Sequence, residues 1–277
     1  MLGDWTPDLG LIVTCCAAAG LYLWGVARAR DHWPLRRTVS FMAGLFAIAL
    51  ALLSGIDYYA DFLLSMHMIE HLLLILIAPT LLLWGAPVRL ALSACAPAGR
   101  RVIGAVLRTR WVHTITRPAC GFALFALIVL ATHLTGIYEL ALRNQTVHAL
   151  EHAAYFWSGI VFLAPLLACD PIPHPPGAIA RFSWLMAAMT VMAIPAGIYL
   201  FDAHVYYPYY LAPAHALHVS ALADQQAAGL IMLFGGGTVM GALAMLIAMQ
   251  AMLAEERRQR RRDAYAPLPY SSAVEVK

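Results

Sequence analysis

Long apolar runs, rather than alternating apolar and polar positions, dominate this chain. Seven stretches are each close to the about 20 mostly apolar residues that a helix needs to cross a bilayer core. They are Leu9–Val26, Thr38–Gly55, Ser65–Trp84, Pro118–Thr135, His148–Leu167, Phe182–Leu200 and Ala227–Leu253. Because the apolar residues are continuous within each run, they predict helices and not membrane strands, which alternate. We therefore expect an all-α, polytopic membrane protein built as a seven-helix bundle.

Composition supports this prediction and sets the domain boundaries. The chain is 62% hydrophobic and 12% charged, whereas soluble proteins are about 25% charged, so a lipid bilayer is the expected surrounding. We expect residues 1–254 to form one transmembrane domain. Residues 255–277 are charged and contain proline, and we expect them to form a disordered cytoplasmic tail. The run Gly235-Gly236-Gly237 is expected to break the last helix.

The basic residues predict how the bundle sits in the membrane. Of eighteen Lys and Arg residues, all but Arg143 fall on one side when the seven helices are threaded in order. Cytoplasmic loops are the basic ones, so we expect the amino terminus outside and the carboxyl terminus inside. On the inner side, Arg100–Arg110 mixes apolar residues with arginines, which predicts a short helix on the membrane surface. Nothing in the pattern indicates nucleic-acid binding.

The pattern His-x-x-Glu-His occurs twice, each time where an apolar helix is expected to begin on the outer side. The residues are His67, Glu70 and His71 in the third helix and His148, Glu151 and His152 in the fifth. Histidines four apart lie on one helix face. If the two helices adjoin with axes 8–10 Å apart, an imidazole nitrogen of one pair should come within roughly 8 Å of the other pair. We expect one outer pocket with four imidazoles and two carboxylates.

This pocket is a candidate metal site, because ionisable residues in membrane helices are costly and usually functional. Imidazole suits zinc, copper, iron and nickel, and thioethers select reduced copper. Met66 and Met68 flank His67, which favours copper over zinc. His133 is expected to join from helix four and Asp224 from helix seven, although Asp224 is equally suited to capping that helix. The candidate ligands are therefore His67, Glu70, His71, His133, His148, Glu151, His152, Asp224 and Met66.

Three other functions fit part of this pattern. The motif matches that of zinc hydrolases with two histidine ligands and a catalytic Glu, although here it occurs twice and near the outer surface. Haem b held between facing histidines is a second alternative, but one histidine of each pair would be surplus and an inner pair is missing. A metal transporter is a third, although the inner halves of helices three and five are nearly all Leu, Ile, Ala and Pro.

Three ordered segments resemble the motifs of CtaG-type cytochrome c oxidase assembly factors. They are Ser65–Pro87, Arg143–His152 and Asp224–Met232. The residues that match motif positions are His67, His71, His148, His152 and Asp224. The chain departs from the family at Glu70, where Gln is frequent.

The resemblance implies a seven-helix protein of the bacterial cell (inner) membrane that helps a haem–copper oxidase to mature. It implies delivery of copper to the active-site copper centre of the oxidase, and not an enzyme that turns over substrate. The expected partners are the catalytic subunit of cytochrome c oxidase and a periplasmic copper chaperone.

Overall fold

The computed structural model describes residues 8–173 and 175–264, and helix makes up 84% of it with no strand in these ranges. The helices are α1 Leu9–Arg28, α2 Leu35–Leu53, α3 Gly55–Ala60, α4 Leu64–Leu72, α5 Ala78–Trp84, α6 Pro87–Ala94, α7 Pro97–Leu107, α8 Arg110–Ile115, α9 Pro118–Leu134, α10 Ile137–Arg143, α11 Gln145–Leu167, α12 Ala178–Phe201, α13 Leu211–Ala216, α14 Ala221–Leu230 and α15 Gly237–Ala264. The π-helical segments are π1 Leu73–Ile77, between α4 and α5, and π2 Ile231–Gly236, between α14 and α15, and a 3₁₀ turn covers Pro208–Tyr210. The all-α prediction is confirmed.

Among the residues that the structure describes, six helical stretches are long and apolar enough to cross a membrane. The fourth predicted span is the exception, because α9 alone is short and is followed by α10 at an angle of 72°. Counting this bent pair as one span gives seven. The structure is thus consistent with the predicted multi-pass membrane protein, with six to seven candidate spans.

Helix α11 lies at the centre of the packing that positions the histidines. It packs against α9 on one side and against π1 and α5 on another, so the predicted contacts of helix five with helices three and four are confirmed. The approach to π1 is close because of Gly159. A Cβ atom at this position would lie 2.0 Å from the carbonyl oxygen of Ile75, so the crossing requires glycine.

Below the histidine level the bundle is filled by apolar side chains. Leu74, Leu76, Phe125, Phe162 and Leu185 are all fully or almost fully buried in one cluster that spans α9, α11, α12 and π1. Dispersion contacts between these buried side chains stabilise the packing of the helices. The apolar cluster therefore fills the bundle beneath the polar residues.

Three expectations about individual segments need correction. The run Gly235-Gly236-Gly237 does not break the last helix, because π2 carries the backbone through it into α15. The inner connection holds three helices, α6 to α8, in place of the one expected within residues 100–110. Helix α15 continues to Ala264, so residues 255–264, expected to be disordered, are helical. The rest of the predicted tail, residues 265–277, lies outside the described residues.

Candidate metal centre

The two His-x-x-Glu-His motifs face each other in the first turns of α4 and α11. His67, Glu70 and His71 are buried on α4, with exposed fractions of 0%, 0% and 3%. Each pair of histidines spans one helical turn, so one face of each helix presents two imidazoles. The ring centroids of His67 and His148 are 5.1 Å apart. The expected meeting of the two faces is confirmed.

The ligand atoms converge into two overlapping groups. One group is His67, Glu70, His148 and His152, and the other is His67, His71 and Glu151. Within each group, one nitrogen or oxygen from every residue lies within 4.8 Å of all the others. A metal ion with bonds of about 2.0–2.2 Å to nitrogen and oxygen brings its ligands within that separation of one another.

Seven buried polar atoms of this cluster lack hydrogen-bond partners among the described residues. This holds for both carboxylate oxygens of Glu70 and of Glu151, and for one ring nitrogen each of His71, His148 and His152. His152 Nε2 and Glu70 Oε1 lie 3.3 Å apart, within ion-pair distance, but without the alignment of a hydrogen bond. Buried polar groups are almost always paired because leaving one unpaired is costly. A cation shared by these donors would satisfy them, so the residues fit a metal.

A hydrogen-bond chain fixes the orientation of His67. The hydroxyl of Tyr210 donates to the carbonyl oxygen of Ala60 at 3.0 Å and lies 3.1 Å from His67 Nδ1. Since the single hydroxyl proton goes to Ala60, the tyrosine oxygen accepts from His67 Nδ1–H. The lone pair of His67 is then on Nε2, which lies 2.8 Å from His71 Nε2. Hydrogen bonds of this kind set the tautomer of metal-binding histidines.

His133 is near the cluster but in neither group. Its ring centroid lies 6.1 Å from that of His71, and its Nε2 lies 3.4 Å from Met68 Sδ. The methionine at this level is therefore Met68. The expected ligand Met66 instead packs against the apolar core, because side chains two residues apart on a helix point in different directions.

Asp224 is a capping residue in this structure, but for a helix other than the one expected. Its carboxylate accepts hydrogen bonds from the backbone N–H of Leu64 at 2.6 Å and from the hydroxyl of Ser65 at 2.5 Å. These groups open α4, whereas Ser220 caps α14. Asp224 belongs to neither ligand group. A carboxylate at a helix amino terminus satisfies free N–H groups and opposes the helix dipole, so Asp224 fixes the start of the first histidine helix.

The other histidines that are expected on the outer side lie apart from the cluster. His204, His215 and His218 are exposed. His204 instead contacts Asp202, which also accepts a hydrogen bond from the hydroxyl of Tyr206. The hydrogen bonds from Tyr206 and His204 hold the pKa of the Asp202 carboxyl well below its usual range. In the segment that follows α12, the buried Tyr207 and Tyr210 reach the site, Tyr210 through His67 and Tyr207 through the carbonyl oxygen of His133. Tyr210 was not predicted from the sequence as an orienting residue, although four tyrosines lie together in residues 206–210.

The fold and the site together define a multi-helix protein of membrane type with a buried histidine–carboxylate cluster at one end. The family model of the cytochrome c oxidase caa3 assembly factors (Caa3_CtaG) matches residues 20–254. The chain belongs to this family, which indicates a cytochrome c oxidase assembly factor and suggests a non-catalytic role.

Similar curated proteins come from mycobacteria. The chain is 28% identical over 171 residues to the uncharacterized protein ML1998 of Mycobacterium leprae, covering 59% of this chain and 26% of that protein. It is 26% identical over 187 residues to the uncharacterized protein Mb0105 of Mycobacterium bovis, covering 65% of this chain and 28% of that protein. The chain thus matches about a quarter of the length of these relatives. No solved structure matches it.

Proposed function

We propose that this assembly factor binds copper at the histidine–carboxylate cluster and delivers it to the catalytic subunit of cytochrome c oxidase. The observation that carries the proposal is the convergence of four imidazoles and two carboxylates, in which all four carboxylate oxygens and three of the ring nitrogens lack hydrogen-bond partners among the described residues. Imidazole binds copper and zinc well, so zinc is the alternative cargo. The family supplies the link to the oxidase.

The shape of the molecule supports exchange of a metal at this cluster. His148 and His152 line a cleft of about 1230 Å³ along α1, α2 and α11, which continues to Val88 and Asp170 at the arginine end. Between His152 and Asp170 the lining of this cleft is apolar, and the apolar core described above fills the bundle below the cluster. The cleft therefore opens the cluster to its surroundings but offers an ion no ligands on the way to the arginine end, which suits a site that accepts and returns an ion at the histidine end. A transporter would need polar groups through the middle of the membrane.

The same proposal includes an orientation. The cluster faces the non-cytoplasmic side of a bacterial inner membrane, where a periplasmic copper chaperone supplies the ion. The support is the charge distribution, because the arginine-bearing connections lie at the opposite end of the helices from the histidines. Arg181 is in the first turns of α12, while Tyr199, near the other end of α12, donates to the carbonyl oxygen of His133 at 3.0 Å.

Metal analysis of the purified full-length protein tests the proposal. We expect the wild type to retain copper, and His67→Ala and His152→Ala to lose most of it. His204→Ala is the matched control, because His204 is on the same side and exposed. In cells, the two cluster variants should lower oxidase activity while the assembly factor itself stays at its normal level. A fully copper-loaded oxidase in the presence of the His67/His152 double variant would contradict copper delivery.

The zinc hydrolase alternative predicts a different result. In such an enzyme Glu70 or Glu151 acts as general base, so Glu→Gln abolishes activity while the metal stays bound. In our proposal the carboxylates help to hold the ion, so Glu151→Gln weakens binding, whereas Gln at position 70 is frequent in the family. Measuring bound metal in Glu151→Gln therefore separates the two functions.

A further inference from the structure

Three methionines and two histidines surround a small cavity beside the histidine–carboxylate cluster. The cavity has a volume of about 20 Å³, enough for one water-sized particle. Its sulfur and nitrogen donors are those of Met68, Met192, Met232, His71 and His133, and each of these residues is buried. They come from α4, α9, α12 and π2, so four separate segments of the chain contribute to one point.

The tautomer of His133 leaves a lone pair beside a sulfur atom. His133 Nδ1 lies 2.8 Å from the carbonyl oxygen of Val129. A carbonyl can only accept, so Nδ1 carries the proton and the neutral ring has its lone pair on Nε2. This lone pair is 3.4 Å from Met68 Sδ. Metal bonds of about 2.0 Å to nitrogen and about 2.3 Å to sulfur, as for zinc, allow one cation to bridge two such atoms.

The backbone around the cavity is irregular in a way that places these side chains. Met232 is the second residue of π2, and π-helical turns inside α-helices are frequent at functional sites. Gly236, in the same segment, makes room for Met192. A Cβ atom at Gly236 would lie 2.6 Å from Met192 Cε and 3.2 Å from its sulfur. Any larger residue would therefore displace the Met192 thioether.

We propose that Met68, Met192, Met232, His71 and His133 form a second, softer site that takes a monovalent cation of the Cu(I) class. Thioethers select copper in its reduced state, whereas carboxylates suit harder ions. Methionine often only fills gaps in cores, but gap filling does not account for an imidazole lone pair aimed at a thioether. His71 lies in both sites, which provides a route for ligand exchange between them. The identity of the cargo rests on the proposed function.

X-ray absorption at the copper edge tests this site in the full-length protein loaded with Cu(I) under anaerobic conditions. We expect sulfur as well as nitrogen neighbours around copper in the wild type. Met192→Leu and Met232→Leu, which nearly conserve volume, should remove sulfur neighbours and weaken Cu(I) binding by at least about tenfold, a loss typical of even an outer-shell change. Met66→Leu, two residues from Met68 but outside the cavity, is the control and should change neither.

The outcomes separate this site from the cluster beside it. Loss of sulfur neighbours in the methionine variants, with sulfur neighbours kept around the remaining copper that Cu(I)-loaded His67→Ala binds, supports two sites. Copper bound in the wild type with only nitrogen and oxygen neighbours overturns the softer site and leaves the proposed function standing. If the wild type binds no copper at all, both the softer site and the proposed function are wrong. The sulfur signal of the wild type needs no variant, so a poorly folding variant does not affect the test.

Discussion

At the scale of single residues, the site depends on side chains that orient the candidate ligands without belonging to them. Tyr210 is the best defined, because its hydroxyl joins the Ala60 carbonyl to His67 Nδ1. Asp224 acts at the backbone, where it accepts from the N–H groups that open α4. Both residues are distant in sequence from the histidines they serve, by 143 and about 160 positions.

Removing the Tyr210 hydroxyl should weaken metal binding and leave the fold intact. Tyr210→Phe keeps the buried ring but leaves His67 Nδ1–H without its acceptor, so the ring is free to change tautomer. We expect affinity for Cu(I) or Zn²⁺ to fall about 10–100-fold, the range for outer-shell partners, as measured by competition with a chelator. Tyr209→Phe is the control one residue away. Equal affinity of Tyr210→Phe and wild type would show that the hydrogen bond does not orient His67.

Replacing Asp224 should affect thermal stability more than metal binding. Asp224→Ala removes the acceptor for the Leu64 and Ser65 groups, and loss of such a cap costs about 0.5–2 kcal/mol. We expect a lower midpoint of thermal unfolding for the metal-free protein in detergent. Ser65→Ala removes one of the same hydrogen bonds and should give a smaller decrease. Unchanged thermal stability together with loss of metal as complete as in His67→Ala would instead make Asp224 a ligand.

The pH dependence of metal binding follows from the donor set. Imidazole must be neutral to coordinate a metal, and its ordinary pKa is about 6.5. Protonation competes with the ion, so we expect affinity to fall once the pH is low enough to protonate the ligand histidines and to recover when pH is raised. Titration of bound copper from about pH 8 downwards measures this. The His67/His152 double variant, which lacks two of the proposed ligands, is the control, and a wild-type pH profile identical to that of this variant would contradict histidine ligands.

At the scale of elements, the distance between α11 and the π1–α5 stretch sets the distance between the two histidine pairs. Gly159 permits the contact, since a Cβ there would meet Ile75 O at 2.0 Å and Pro79 Cγ at 3.0 Å. Both neighbours are stiff, one being backbone and the other a proline ring. Two π-helical segments interrupt the α-helical backbone near the site. Segment π1 follows α4, which carries the first histidine pair, and π2 follows α14. Each segment changes the direction in which the following side chains point.

A single methyl group at this crossing should therefore disturb the site from a distance. Gly159→Ala forces α11 away from π1, and overpacking of this kind costs about 1–3 kcal/mol. We expect lower thermal stability and weaker metal binding. Gly197→Ala is the matched control, because a Cβ at Gly197 meets nothing within 4 Å and Ala is favoured over Gly in a helix by roughly 1 kcal/mol. A Gly159→Ala protein as stable as the Gly197→Ala protein would contradict the close crossing.

The elements also show how far the sequence alone predicts this protein. Length and hydropathy located the spans, and the i, i+4 spacing placed each histidine pair on one face of its helix, because both signals are local. The choice between Met66 and Met68, the capping partner of Asp224 and the role of Tyr210 depend on which helices lie side by side. No local pattern contains that information. The π segments were also missed, since an extra residue in a helical turn leaves apolar periodicity almost unchanged.

At the scale of the whole molecule, the two ends of the bundle have opposite chemistry. The histidine cluster lies at one end, where α4 and α11 begin and α9 finishes. A cavity of about 460 Å³ lined by Arg36, Arg37, Arg89 and Arg181 lies at the other. An arginine-rich end attracts anionic lipid head groups and disfavours crossing of the membrane. The orientation of the bundle in the membrane therefore decides from which side the proposed ion would reach the histidine cluster.

Labelling with a membrane-impermeant maleimide tests this orientation. Single cysteines are introduced as Asp61→Cys, near the histidine end, and Arg257→Cys, beyond the arginine end, in a protein whose five native cysteines are replaced by serine. Both positions are exposed. Because cytoplasmic loops are the basic ones, we expect Cys at position 61 to react in intact cells and Cys at position 257 to react only after permeabilisation. Reaction of both after permeabilisation is the control. If position 257 reacts in intact cells and position 61 does not, the cluster opens to the cytoplasm, and a periplasmic source of copper is excluded.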